Sequence, residues 1–412
     1  SDAVKALDTK LAASKLDVAN VLTGSVRRSP RTVRISAQLV GGKDGVVRWE
    51  QTYDRAPDDE IRIQTDIAAN VAQALSIALG QAGKAALTLG GTADSAAQDL
   101  YLRASALYLN DTGGDALREA AQLLDAALGR DPGYANAFRL KAGTLELLAT
   151  SYSKNADEMA KRLDAAEFAA KRAIALTPAL GAGYAQLALI DEDRFNFGSA
   201  FQSIRKALAL SPDDPLVLPA AMYISWYSGG DPHKALSLAD RVVELDPLKA
   251  LNHSRRAEVL VDLRQYPEAI RSAQKSLQLA PKREWPHQVI GDSFLLMNRP
   301  NEALAEYSHV PADDVYRLKS EAIIVARSGD IGAVERIMSH MRALFADVAT
   351  YQYAQVYAQA RENDRAFAAL AKGFEVKDPG LTGIRTDPFM DPIRGDPRYA
   401  ALVKKLDFPT ST

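Results

Sequence analysis

GAGYAQLALIDEDRFNFGSAFQSIRKALALSP, residues 181–212, is the stretch whose reading decides the fold. It divides into two helix-period halves around Arg194 to Asn196, and a proline at Pro212 closes it. The same closing proline stands at Pro132, Pro178, Pro212, Pro247 and Pro281, and the last three steps are 34, 35 and 34 residues. A period of that length marks helix-turn-helix units stacked into a solenoid, because no single unit can bury its apolar face alone. Ala188, Ala200 and Ala207 fall where the two helices of a unit cross, and only small side chains let the backbones approach there. Ala235, Ala269 and Ala303 repeat the first second-helix alanine at 34-residue steps.

With Tyr184 and Leu187 added, these residues match the places where the tetratricopeptide consensus has a large ring, Leu and three small residues, and the unit resembles that family. The step from Pro132 to Pro178 is 46 residues, and the excess falls in Thr150 to Lys161, which predicts an extended helix pair or a projecting loop. Beyond Pro311 the period loosens, but helical pairs continue at Asp313–Arg327 with Asp330–Leu344 and at Val348–Arg361 with Asp364–Phe374, for about eight hairpins in all. The Asp-Pro steps at 387, 391 and 396 open a closing segment, with Asp396 as N-cap, Pro397 at the first helical position and RYAALVKKL (398–406) as the capping helix.

Ahead of the repeats the period changes to two. Residues 17–28 (DVANVLTGSVRR) and 31–40 (RTVRISAQLV) alternate as strands, Gly41 to Gly45 supplies a hairpin turn, and 46–53 (VVRWEQTY) is the partner strand. Pro57-Asp58-Asp59-Glu60 then opens a helix with an apolar stripe of Ile61, Ile67, Val71, Leu75 and Ile77, running to Gly80. The blocks VLTGSVRR (21–28), VRISAQL (33–39), WEQTYDR (49–55) and IQTDIA (63–68), in that order, resemble the TolB-like amino-terminal domain that precedes tetratricopeptide repeats in bacterial signalling proteins. The resemblance covers about a fifth of the chain and lacks the family's first strand and helices, leaving at most a helix over Ser1 to Ser14. It implies an effector further upstream, either a class III adenylate cyclase or a CadC-like winged-helix DNA-binding domain. The expected class is mainly α, a tetratricopeptide-repeat α-solenoid preceded by a small α+β domain: a truncated TolB-like domain over 1–80, a linker over 81–94, repeats over 95–386 and a capping segment over 387–412.

Composition narrows the function. The 412 residues carry 50 basic and 52 acidic side chains, so no global field collects nucleic acid or an anionic membrane. The absence of cysteine removes disulfides, thiolate nucleophiles and zinc-thiolate sites. No apolar run reaches the roughly 18 to 20 residues that span a bilayer. His233, His253, His287, His309 and His340 have no metal-ligand spacing. His253 and His287 are 34 residues apart, yet equivalent places in stacked helix pairs lie roughly 10 Å apart. Neither Gly41-Gly42-Lys43 nor Gly80-Gln81-Ala82-Gly83-Lys84 has the spacing of a phosphate loop. Arg27, Arg28, Arg31 and Arg34 read as a solvated hairpin. No catalytic residue, cofactor or metal is expected.

The tetratricopeptide resemblance implies that places 2, 5, 9, 12 and 13 of each first helix face the concave surface. On this sequence those are Ala182, Ala185, Leu189, Glu192 and Asp193; Val217, Ala220, Ile224, Tyr227 and Ser228; Leu251, Ser254, Glu258, Val261 and Asp262; and Trp285, Gln288, Asp292, Leu295 and Leu296. Such a surface is apolar with acidic points. The family's chaperone-binding class clamps a terminal carboxylate with Lys, Arg and Asn there, and carboxylates in those places exclude that ligand on charge. A protein or peptide partner, basic or apolar, suits the groove.

The expectation is therefore a non-catalytic sensory region of a bacterial signalling protein, on the periplasmic side of an inner-membrane-anchored parent or in the cytoplasm. Two further readings stand beside it: a free-standing envelope scaffold, and an α+β domain that binds or turns over a small molecule.

Overall fold

The computed structural model describes residues 9–14, 18–29, 32–55, 66–67, 70–71, 88–110 and 113–409. They form two compact units, one of residues 1–106 with 122–137 and one of 107–121 with 138–412. The helix expected from Pro57 to Gly80 and the linker to residue 87 lie largely outside the described residues. The first compact unit runs on past the expected linker into the first helical hairpin.

In the first unit, β1 (Asn20–Arg28), β2 (Val33–Gly41) and β3 (Val47–Arg55) form an antiparallel meander in the order β1-β2-β3. Val33, Ala37 and Leu39 of β2 and Tyr53 of β3 are buried, so alternation puts Arg34, Ser36 and Gln38 on the other face. There the register sets them opposite Asp54, Thr52 and Glu50, giving a ladder of hydrogen bonds at 2.6, 3.0 and 2.5 Å. Arg34 of the basic run is thus engaged within the sheet, while Arg31 lies outside the described residues. Gly41 to Gly45 closes the hairpin through Gly45 N to Gly41 O at 2.8 Å, with Gly45 at φ +70°. β1 and β3 are the edge strands of the sheet as described.

The helices that follow are α1 (Ser95–Asn110), α2 (Gly114–Arg130), α3 (Ala135–Tyr152), α4 (Ala156–Leu176), α5 (Gly181–Asp193), α6 (Phe197–Leu210), α7 (Leu218–Trp226), α8 (Pro232–Leu245), α9 (Ala250–Asp262), α10 (Tyr266–Leu279), α11 (Trp285–Leu296), α12 (Pro300–Tyr307), α13 (Val315–Ser328), α14 (Ile331–Phe345), α15 (Thr350–Gln359), α16 (Asn363–Val376) and α17 (Pro397–Leu406). The odd and even members from α3 to α16 pair as the first and second helices of successive hairpins. Ala188, Ala200, Ala207, Ala235, Ala269 and Ala303 are fully buried at the crossings. The extra residues between Pro132 and Pro178 lengthen a helix pair: α3 and α4 have 18 and 21 residues against 13 and 14 in α5 and α6. Asn155 starts α4 by accepting from Glu158 N at 2.9 Å, as Glu158 accepts from Lys154 N at 2.8 Å.

A turn inside a hairpin must reverse the chain in few residues, and in six such turns a left-handed backbone position does this. Phe195, Gly230, Arg264, Asn298, Gly329 and Arg361 all have φ between 59° and 87° at that place.

Within the second unit the solenoid curls until distant turns meet: Ala156 N donates to Asp347 Oδ1 at 3.1 Å. After α16 the chain turns back along the solenoid. Two 3-10 helices, Pro379–Gly383 and Pro388–Ile393, precede α17, and Asp378, Asp387 and Asp396 each cap the element that follows by accepting from an amide two residues on. Asp391 caps nothing; it forms an ion pair with Arg264 at 2.8 Å. The capping segment is therefore also a strap. Phe408 stacks on Phe197 at 4.6 Å, and Leu381, Phe389, Met390 and Ile393 join the core around α13 to α16.

Candidate functional site: the inner wall of the solenoid

First helices of successive repeats set their C-terminal halves side by side, so one side chain from each helix meets one from the next. Glu192 of α5 is buried, at 4% exposure, and its Oε1 accepts from Ser228 N at 3.2 Å and from Ser228 Oγ. Asp262 of α9 accepts on Oδ2 from Trp226 Nε1 at 2.8 Å and from Thr386 Oγ1 at 2.6 Å. Trp285 of α11 donates to Glu258 Oε1 at 2.7 Å and lies edge-on to Tyr316 of α13 at 4.8 Å. Tyr223 and Trp226 of α7 and Tyr227 at its C-cap stack on one another with centroids 4.4 to 6.1 Å apart, and the Arg255 guanidinium sits 5.8 Å from the Tyr223 ring.

Burial raises the acids of this wall above their usual range. Burial pushes Glu192 up to about 7, against the two Ser228 donors that favour its charged form. Burial and the neighbouring Asp387 charge push Asp262 up to about 7. Burial and then the Glu192 charge push Glu146 of α3 up to about 7, and burial, then the charges of Glu146 and Glu192, hold Asp193 of α5 well above the usual carboxylate range. Burial first, then Glu258, raises the Tyr223 and Tyr227 hydroxyls.

The groove residues expected from the sequence separate into two groups. Ala182, Ala185, Glu192, Val217, Ala220, Ile224, Ser228, Ser254, Val261, Gln288 and Leu295 are buried between helices, where they shape the wall without reaching its surface. Leu189, Asp193, Tyr227, Leu251, Glu258, Asp262, Trp285 and Leu296 are half-buried and reach the surface. Asp292 is a structural residue, since it accepts from Tyr307 OH at 2.7 Å, Ser320 Oγ at 2.8 Å and Gln288 Nε2 at 3.0 Å, and pairs with the buried Lys319 at 3.1 Å. Sequence reasoning missed Glu146, Tyr223, Arg255 and Tyr316. Glu146 escaped because α3 belongs to the lengthened repeat, where 34-residue counting fails.

His253, His287, His309 and His340 have local partners, His340 Nε2 lying 2.9 Å from Asp313 Oδ1. His253 Nε2 lies 2.8 Å from Pro247 O, and His287 Nδ1 lies 2.7 Å from Glu306 Oε2, with its ring stacked on His309 at 4.2 Å. In the described strands and their turn, Arg34 is raised by its hydrogen bond and ion pair with Asp54, Asp44 is lowered by the Val46 amide, and both are exposed. Among the described residues no helix is long and apolar enough to cross a membrane.

No protein-family model matches the chain. A stretch of 133 residues is 32% identical to a Rhizobium meliloti (strain 1021) protein named "Putative adenylate cyclase 3", and the match takes in 32% of this chain and 22% of that protein's length. Monomeric mutants of IFIT1, solved with Gppp-AAAA and with m7Gppp-AAAA, superpose with TM-scores of 0.50 and 0.51 at 14% and 13% identity, over 84% of this chain and 76% of theirs. YrrB, described as a TPR protein with an unusual peptide-binding site, is 15% identical, with a TM-score of 0.32 over 49% of this chain and 98% of its own. The fold is that of a tetratricopeptide-like α-solenoid, preceded by a small three-stranded sheet.

Proposed function

We propose that this chain is the non-catalytic sensory and interaction region of a bacterial signalling protein, and that a protein or peptide partner docks on the inner wall of its solenoid. The observation that carries the reading is the half-buried surface of Tyr223, Tyr227, Trp285 and Tyr316 interleaved with Asp193, Glu258 and Asp262. Aromatic anchors with a defined polar edge are what recognition surfaces use, since they bury much area at little entropic cost. A phosphate-bearing ligand such as the Gppp-AAAA of the IFIT1 structure would meet Glu146, Glu192, Asp193, Glu258 and Asp262, with Arg255 the cation among them. That charge balance favours a partner with basic or apolar groups. Identity with part of a cyclase-named protein favours a cyclase over a winged-helix domain as the upstream effector. The TolB-like resemblance of the strands fits either.

The test is affinity capture from source cells with the wild-type chain and with the double variant Trp285→Ala/Tyr227→Ala, each first shown to have the same helical circular dichroism spectrum. Loss of the captured partner in the variant is expected. Capture that survives the pair removes the inner wall from consideration. Sequencing the gene upstream of the codon for Ser1 separates the two effectors.

A further inference from the structure

Between α4 and α6, the second helices of successive hairpins, lies a cleft of about 360 Å³. Glu167 and Lys171 of α4 line it on one side, Gln202 and Ser203 of α6 on the other, and Leu187 and Asp191 of α5 form its floor. That floor departs from the rest of the solenoid. In the register that carries Ala182 to Val217, Leu251 and Trp285, Asp191 corresponds to Trp226, Leu260 and Phe294. Trp226 and Leu260 are buried, and Phe294 packs on the apolar core. Three repeats fill this place with a large apolar side chain, whereas the repeat of α5 and α6 has a shorter carboxyl there and a cleft over it.

Asp191 is only 8% exposed, and its hydrogen-bond donor is the side chain of Asn196. Among the described residues no cation pairs with it. Lys171 is joined to Glu167, and Arg194 to Asp164 and, at 3.5 Å, to Glu167. A desolvated carboxyl without a cation costs stability that an apolar side chain at the same place does not, so its presence on the floor of a cleft points to a cation from outside.

The cleft limits what that cation is. A guanidinium engages both oxygens of a carboxylate, but here Asn196 already occupies part of the acceptor, and a compact ammonium needs less of it. The volume is at the low end for organic ligands. We infer that the cleft binds a small aliphatic molecule by a primary ammonium group, with Asp191 accepting from the ammonium, Leu187 against the methylenes, and Gln202 and Ser203 holding a hydroxyl or carbonyl at the far end. This site is separate from the inner wall proposed for a protein partner.

The ammonium competes with the carboxyl proton. Burial and then the Glu167 charge raise Asp191 to about 6. The other charged groups that face it are Lys171 of α4 and Arg194 after α5, while α6 offers the neutral Gln202 and Ser203. Affinity therefore rises with pH through that value, up to where the amine itself deprotonates.

Isothermal titration calorimetry of the whole chain with straight-chain aminobutanol and butanediol, each with terminal groups, tests the inference, since the probes differ in the ammonium alone. At pH 8 the amino alcohol should bind about tenfold or more tighter than the diol, and the preference should shrink at pH 5. Asp191→Asn should remove the preference. Asp191→Leu, which gives the floor the side chain found at Leu260, should remove it too while raising the Tm at pH 8. Equal affinity for the two probes, binding of neither, or a preference that survives in Asp191→Leu overturns the inference. A lowered Tm in Asp191→Leu would show that the carboxyl serves the fold, and it too overturns the inference. Calcium ions that displace the amino alcohol assign the cleft to a metal and overturn the ammonium assignment.

Discussion

Arg385 donates hydrogen bonds to the carbonyls of Tyr227 at 3.0 Å and Ser228 at 2.6 Å, the latter 157 residues earlier in the chain. The same guanidinium lies 4.1 Å from the Phe408 ring, and Phe408 stacks on Phe197. Lys377 reaches Arg194 O at 3.2 Å, and Asp391 pairs with Arg264 at 2.8 Å. The returning segment therefore touches one hairpin turn per repeat, at 194, 227–228 and 264. These turns present helix C-terminal carbonyls, so cationic side chains are the natural partners.

Arg385→Ala removes two charge-assisted bonds from carbonyls that are shielded from water. It should destabilise the second unit by about 1–3 kcal/mol in urea denaturation. Limited proteolysis should cut between residues 377 and 409 sooner than in the wild type, whereas unchanged cleavage there would show that the core residues around Phe389 hold the segment unaided.

Gly291 of α11 lies against the fully buried Tyr307 ring, where a Cβ would come within 2.3 Å of Cε1. Gly291→Ala should cost about 1–3 kcal/mol, because the ring has nowhere to retreat. Gly198→Ala, in α6 with nothing within 4 Å of its Cβ, should be neutral or stabilising by up to about 1 kcal/mol. Comparing the two midpoints separates close packing from helix propensity.

Asp292 holds Lys319, a side chain 2% exposed, in a buried ion pair. Asp292→Ala should cost about 3–5 kcal/mol, since it strands a buried ammonium and leaves Tyr307 OH and Ser320 Oγ short of an acceptor. Asp292→Asn/Lys319→Met should recover more than half of that loss. A mild effect of Asp292→Ala with loss of partner binding would instead make Asp292 a contact residue.

Glu192 and Asp262 have folded pKa values near 7, above their ordinary range, so the folded chain binds more protons than the unfolded chain between about pH 4 and 7. Stability then falls as pH rises through that window, and the cost is complete above about pH 7. Each carboxyl accepts both of its hydrogen bonds on one oxygen, which a carboxamide also has. Glu192→Gln and Asp262→Asn should therefore raise the Tm at pH 8, leave it nearly unchanged at pH 4.5, and flatten its pH dependence. A lowered Tm at pH 8 would mean that these acids are charged and stabilising.

The repeat register from α5 to α12 was legible because a helix crossing tolerates only small side chains, so Ala200, Ala235, Ala269 and Ala303 recur at the solenoid's own period. The Asp396-Pro397 start of α17 was legible for the same kind of reason, as capping is local chemistry. The spacing of Asp378, Asp387 and Asp396 was also there to be read as a series of caps. What the strap lies against was not, since contacts such as Arg385 with Ser228 have no spacing rule.

The amino-acid sequence by itself determined the meander and the helical hairpins of the repeats, because periodicity, capping and crossing sterics act within one repeat or between neighbours. Tertiary structure alone decided which inward positions stay accessible. The curl of the solenoid and the returning segment commit Asp292 and Asp387 to structural contacts while bringing Glu146 beside Asp193. Desolvation and charge proximity belong to the assembled wall, and only there are ordinary carboxyls such as Glu192 and Asp262 pushed up to about 7.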